Sequence, residues 1–425
     1  MAITIQQQPG QDDVVGRRLM LTATSNNSGN TGFKFTVVLT TTLGTNTFLI
    51  PVNPSGAAIL DISQLIELRN QDLFSSVSVH RITAPVQEPS GKGAIYNYTI
   101  TVQEGWIVGG VYTLQGSVTT ITRLLLWNAT LQANQPYDQS LNRFIINSAT
   151  KRFLSDVDID TYAWLYGNYY DLETATTRVF IPVREKDFGV LSIAYLRTKI
   201  AATVRVTIID ATGTPHAFSI DVTSHTSSTM WHYPVFPANL NASAEVGWLK
   251  PSDYPNWQAV RVQAFDAGSS ACSVAYFLYN TDNDGPKECI QDNVRLAWRG
   301  SGGGWEYFNF IKKSEKSYNI ERKQVRKVLG TYGSTYVMTG QEAGLQETET
   351  IVDQIITANS DWIREETFTY LRGLFVSNQV HLIEEVTGRL IPVVVEDSNF
   401  TEKQTRDNKV YNQQIRLKLS NYLWT

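Results

Sequence analysis

Cysteine is nearly absent: Cys272 and Cys289 are the only two in 425 residues. A chain of that length with two cysteines is not a disulfide scaffold, and two reduced, partly buried thiols are the expected state. Charge is sparse as well. Charged residues make up 18% and the net charge is -4, which excludes a general nucleic-acid binder, since that class is strongly basic. Histidine is rare, and no HExxH occurs. No apolar run approaches the roughly 20 residues that a membrane-spanning helix needs. The N-terminal MAITIQQQPGQDDVV lacks a basic n-region and a long apolar h-region, so the expectation is a protein made and assembled in the cytoplasm without a membrane partner.

What is abundant points to strands. The chain has 10 Trp and 20 Tyr, and it is rich in Thr, Val and Ile, a β-type composition. Residues 33–40 and 47–52 read as a hairpin turning at Gly44-Thr45-Asn46. Asp61 is placed to cap a short helix over 62–69. Residues 95–103, IYNYTITVQ, alternate most cleanly and predict a half-buried antiparallel strand. Further strands are expected at 118–127, 177–183, 190–196, 204–209, 217–222, 260–265 and 272–279. Residues 231–257 carry four prolines and are expected to form an irregular surface loop. Near the C-terminus, Ser360 is placed as the cap of a helix over 361–375, followed by a hairpin (379–383 with 390–395) and a closing strand at 415–419. The expected fold is mainly β: an N-terminal sandwich over 1–110, a second sandwich or jelly roll over 111–288, and a mixed α+β domain with one principal helix over 289–425.

Candidate chemistry is thin. Asp156, Asp158 and Asp160 would share one face of a strand, but Thr161 and Gly167 break the calcium-loop pattern. Asp282-Asn283-Asp284-Gly285 starts like a calcium loop and fails at Pro286 and Asn293. His216, His225 and His232 cluster without a second set of ligands. Glu365/Glu366 and Glu384/Glu385 are adjacent in sequence, so neither pair faces a common substrate. No metal, no cofactor and no enzymatic activity are expected. Between 312 and 327 seven cations stand against two carboxylates. That excess suits a solvated face or a protein partner better than nucleic acid, because only Tyr318 interleaves it.

Residues 294–310, VRLAWRGSGGGWEYFNF, form two Trp-bearing strands around a glycine turn. The glycines lack the order of a phosphate loop, and the hairpin holds no histidine, no Ser-base pair and no metal-ligand cluster. It is therefore read as architecture without chemistry.

This hairpin resembles a motif of tailed-bacteriophage structural proteins. In that motif a cysteine (here Cys289) precedes a Trp strand (Trp298), a glycine turn and a W-D/E-x-F-x-F strand (Trp305, Glu306, Phe308, Phe310). Two further regions are similar to the same family: the PxNPxG turn at Pro51, Asn53, Pro54 and Gly56 leading to Asp61, and the C-terminal series Ser377, Val380, Leu382, 391–393 and Asp397-Ser398. Residues 111–285 lie outside the resemblance, and Arg299-Gly300 stands where W-x-N is usual.

The resemblance implies a virion component of tail, baseplate or neck, acting as a ring of identical subunits docked on other virion proteins. Candidate interface residues are Trp298, Trp305, Tyr307, Lys312, Lys313, Arg322, Lys323, Arg326 and Trp424, with the genome as a further partner for the cations. The alternative is a carbohydrate- or receptor-binding tail protein, with Trp231, Trp248 and Trp257 as a platform for host glycan.

Overall fold

Alternating apolar and polar residues put most of the chain into strands. The computed structural model describes residues 3–9, 12–14, 19–41, 44–62, 79–87, 95–127, 153–156, 178–195, 201–225, 229–283, 293–300, 302–326, 331–337, 345–377, 379–384, 390–396 and 410–419. Over these the protein is mainly β, with several antiparallel sheets and a single helix of seven residues or more. The chain divides into two units. One comprises residues 1–285, 298–306 and 369–378, and the other 286–297, 307–368 and 379–425.

The first unit opens with strands β1 (Ile3–Gln7), β2 (Asp12–Val14), β3 (Met20–Ser25), β4 (Lys34–Thr41), β5 (Gly44–Pro51), β6 (Ala57–Asp61), β7 (Val86–Gln87), β8 (Ile95–Val108) and β9 (Val111–Trp127). A three-stranded sheet, β1-β3-β6, and a five-stranded sheet, β2-β9-β8-β4-β5, enclose one core. Period-two alternation builds that core: Phe35, Val37 and Leu39 of β4 lie beside Tyr98, Ile100 and Val102 of the neighbouring β8, all buried. The β4–β5 turn comes earlier than the sequence suggests, since Thr41 pairs with Gly44 and Thr45-Asn46 already belong to β5. Asp61 ends β6 and accepts a hydrogen bond from Leu19 N at 3.3 Å. The helix expected over 62–69 lies outside the described residues, apart from Ile62, which is buried. Residue 110, the expected domain boundary, is the second glycine of the β8–β9 turn, and β9 pairs back along β8.

The same unit continues with β10 (Arg178–Val183), β11 (Leu191–Tyr195), β12 (Ala201–Ile209), β13 (Pro215–Asp221), β14 (Thr229–Tyr233), α1 (Pro237–Ala242), β15 (Ala259–Asp266) and β16 (Ala275–Asn280). Their sheets run β10-β16-β15-β12-β13 and β11-β14-β7. β11 and β16 are buried at every position, so they read as continuous apolar runs rather than alternating ones. The stretch 231–257 is a surface loop only in part: 244–247 and most of 252–256 are exposed, whereas 232–240 pack inside. Tyr233, Val235, Phe236 and Leu240 are buried, and Asn239 Nδ2 donates to the carbonyls of His80 (2.7 Å) and Ile82 (2.9 Å). Proline there starts short helices, at Pro237 and Pro251, instead of opening a loop.

The remaining elements are β17 (Val294–Arg299), β18 (Trp305–Phe310), β19 (Lys312–Arg326), β20 (Thr331–Tyr332), β21 (Tyr336–Val337), β22 (Leu345–Arg364), α2 (Glu365–Val376), β23 (Val380–Ile383), β24 (Leu390–Val395) and β25 (Val410–Leu419). A seven-stranded sheet runs β18-β17-β23-β24-β25-β22-β19. The expected helix starts four residues late, because 361–364 extend β22 against β25. Ser360 therefore caps nothing: its Oγ accepts from Gln413 N at 2.8 Å.

Among the described residues, β25 covers β22 only from Ile355 onward. Beyond that point β19 and β22 continue as a two-stranded ribbon, from Tyr318↔Gln354 to Arg326↔Leu345. Residues 316–326 and 345–350 are exposed.

Candidate functional site

The glycine hairpin is the best-built local arrangement. Gly300 N donates to Gly304 O and Gly303 N to Gly300 O, both at 2.9 Å, closing the turn. Gly303 has φ +80°, a conformation that favours glycine. Arg299 Nη1 donates to Gly303 O at 2.7 Å, and its guanidinium lies 4.3 Å from the centre of the Trp305 ring. His80 meets the same indole edge-on at 4.6 Å. The turn thus fixes where Glu306 begins.

Glu306 is 2% exposed. Its Oε1 accepts from Asp156 N at 2.6 Å, and its Oε2 from Ser155 Oγ at 3.0 Å and Tyr370 Oη at 2.9 Å. Burial, and after it the Asp156 carboxylate, push the Glu306 carboxyl well above the ordinary range. Two glycines make room. A Cβ at Gly300 would lie 2.8 Å from Glu306 Cγ and 2.9 Å from Asp156 Oδ2. A Cβ on Gly373, inside α2, would lie 3.2 Å from Trp298 Nε1. Glycine inside a helix costs about 1 kcal/mol relative to alanine, and here it makes way for the indole.

The hairpin read as free of chemistry thus carries a fully enclosed carboxyl held above its ordinary range. The sequence does hold a signal for it, an acidic residue between two aromatic ones in a strand. Period-two reasoning assigns such a residue to the solvent face, whereas β18 is buried on both faces.

The expected interface anchors are core residues. Trp298 is fully buried against Tyr370, with ring centres 5.2 Å apart, and Trp305 and Tyr307 are each 6% exposed. Trp424 lies outside the described residues. The cations do sit together, on β19. Lys312, Arg322, Lys323 and Arg326 are exposed, and Lys313 lies in the same strand. The opposing strand offsets part of their charge: Arg322 pairs with Glu347 at 3.0 Å and Lys323 with Glu349 at 2.6 Å. Such exposed pairs add little. Replacing Lys323 with alanine is accordingly expected to leave the melting temperature unchanged, as differential scanning fluorimetry would read.

The three tryptophans of the glycan alternative do not form a platform. Trp257 is 2% exposed, Trp248 tilts against Phe218 at 5.3 Å, and half-buried Trp231 stacks face-on upon His225 at 3.5 Å. The histidines have separate partners: His216 with Asp210 (3.0 Å), His225 with Tyr233 Oη (2.9 Å) and His232 with Ser192 Oγ (2.8 Å). Hydrogen bonds from the His216 ring, then from Thr212, hold Asp210 well below the ordinary carboxylate range. Cys272 is buried, and burial together with the Asp266 carboxylate pushes its thiol up to about 12, so it is unreactive at neutral pH. Cys289, Asp158, Asp160 and Asp284 lie outside the described residues. Asp282 lies in a short 3-10 helix, Thr281–Asn283, and accepts from Glu185 N at 2.8 Å. Among the described residues no group of three or more His, Cys, Asp or Glu could hold a metal ion. No described helix is long and apolar enough to cross a membrane.

No protein-family model matches the chain, nor does any curated protein. Among solved structures it is similar to a tetra-tandem repeat in the extending region of a large adhesion protein. The two share 10% identity over 84% of this chain and 69% of the other, with a TM-score of 0.21. A likeness that low carries no argument.

Proposed function

We propose that this protein is a structural subunit of a phage virion, a tail, baseplate or neck component that self-associates and docks neighbouring virion proteins. The observation that carries the self-association is the β19–β22 ribbon. A two-stranded ribbon with both faces open is marginal in water, because it has nothing to bury its apolar side chains against. This one displays Tyr318, Ile320, Val325 and Leu345, each about half exposed. Tyr318 and Ile320 share a face with Val352, which pairs directly with Ile320. β19 also ends the sheet order, so its outer backbone is open to an added strand among the described residues. A surface of this kind suits an arm that folds onto a second subunit. The phage assignment rests on the hairpin resemblance, and the burial of Trp298, Trp305, Phe308 and Phe310 fits a motif that serves as architecture.

The test is size-exclusion chromatography with light scattering on the intact protein and on a variant whose residues 318–352 are replaced by a short Gly-Ser turn, together with negative-stain imaging. The intact protein is expected to form a closed oligomer, and the variant a monomer with unchanged unfolding of the first unit. An intact protein that stays monomeric at every concentration and binds glycan would overturn the reading.

A further inference from the structure

Sheet edges are kept from stray pairing by charge, proline, a bulge or short length. Several end strands of this protein carry such a device. β2 is three residues long with Asp12 and Asp13, β1 breaks register between Ile5 and Gln7, and β13 opens on Pro215 and closes on Asp221. β19 carries its cations. β5 ends the sheet β2-β9-β8-β4-β5 among the described residues and has none of these. Its eight residues, GTNTFLIP, hold no charge, and the one proline comes last. Its pairing with β4 runs unbroken from Thr41↔Gly44 to Lys34↔Pro51. Every second residue of such a strand turns its backbone N–H and C=O toward the open side.

The side chains of β5 define what can be added there. Phe48 and Ile50 oppose Val37 and Phe35, so they face the core, yet both are only half-buried. The core row therefore stops unfinished at this edge. On the β19–β22 ribbon, Tyr318 and Ile320 share a face with Arg322 and have nothing comparable to pack against. We propose that β5 is the seat of the ribbon of a second copy, with β19 of one subunit added antiparallel to β5 of the next; this rests on the self-association reading above and names its acceptor. The register that keeps the faces together sets Ile320 beside Phe48, Tyr318 beside Ile50 and Arg322 beside Asn46. A second β5 fits less well, since its matching register sets Ile50 against Asn46. A second β19 would set cations against cations, whereas β5 offers no charge to oppose them. Because donor and acceptor are different surfaces, the contact is heterologous, the kind that closes into rings.

In this register Thr45 and Asn46 lie opposite Lys323 and Arg322. Both are exposed, so substitutions there leave folding nearly unchanged. Sedimentation velocity of the full chain over a concentration series reads the contact. At low salt, Thr45→Lys/Asn46→Lys is expected to weaken association about tenfold and Thr45→Glu/Asn46→Glu to strengthen it about tenfold. Both effects are expected to fade at about 1 M salt. An intact protein that assembles, with the two double variants associating equally, unchanged or weakened alike, would overturn this acceptor and leave the self-association reading standing. An intact protein that is monomeric at every concentration would overturn both.

Discussion

Replacing Gly304 with alanine is expected to unseat the hairpin tip and to cost about 3 kcal/mol or more. The added methyl would run into the carbonyl oxygen of Leu154 and lie 2.7 Å from its Cβ. Neither backbone is able to give way. Leu154 N donates to Ser192 O at 2.8 Å, and Gly304 O accepts from Gly300 N at 2.9 Å. A clash with an anchored carbonyl cannot be relieved by a rotamer change, so the segment must move as a whole. Urea unfolding followed by tryptophan fluorescence would show a lowered midpoint. Gly29→Ala is the matched control: nothing lies within 4 Å of a Cβ there, and the same substitution is expected to be near neutral. Equal midpoints for the two variants would show that the tip is not packed as described.

Truncating Trp298 to alanine is expected to cost about 3–5 kcal/mol, among the largest losses that a single side chain can cause. The indole is wholly buried against Tyr370 and Gly373, so the cavity left behind is lined by elements already held in place. Trp298→Phe is expected to cost far less. Trp298 Nε1 is buried without a hydrogen-bond partner among the described residues, so phenylalanine gives up area but no polar interaction. Thermal unfolding of the two variants separates these contributions. A phenylalanine variant as unstable as the alanine variant would mean that the indole N–H is bonded.

Strand positions were legible wherever one face meets the core and the other meets water. β8 follows from alternation alone, and β4 from alternation with an apolar run. Two misplacements share one cause, tertiary context overriding a local signal. Ser360 looks like a helix cap, yet β25 pairs with β22 through Arg364↔Val410 and keeps that segment extended. The prolines of 231–257 suggest a loop throughout, and 244–256 is largely one, yet Phe236 and Leu240 pack inside and Pro237 starts a helix. The Glu306 site was not legible, because it joins residues some 150 apart in sequence, Ser155 with Glu306. Asp156 was singled out as one of three alternating acids. What sets it apart is a partner on another segment, which no spacing reveals.

The charge on β19 has a consequence for solubility. Unsatisfied sheet edges invite indiscriminate pairing, and lysine or arginine along an edge is a recurrent deterrent. Lys316, Arg322, Lys323 and Arg326 line the open strand beside Tyr318 and Ile320. Two such edges from different subunits repel until an acidic or screening partner intervenes. On the proposed reading, the same cations would slow pairing of the open strand with another copy of itself. Association should consequently tighten as ionic strength rises, with screening on the scale of about 10 Å at 0.1 M salt.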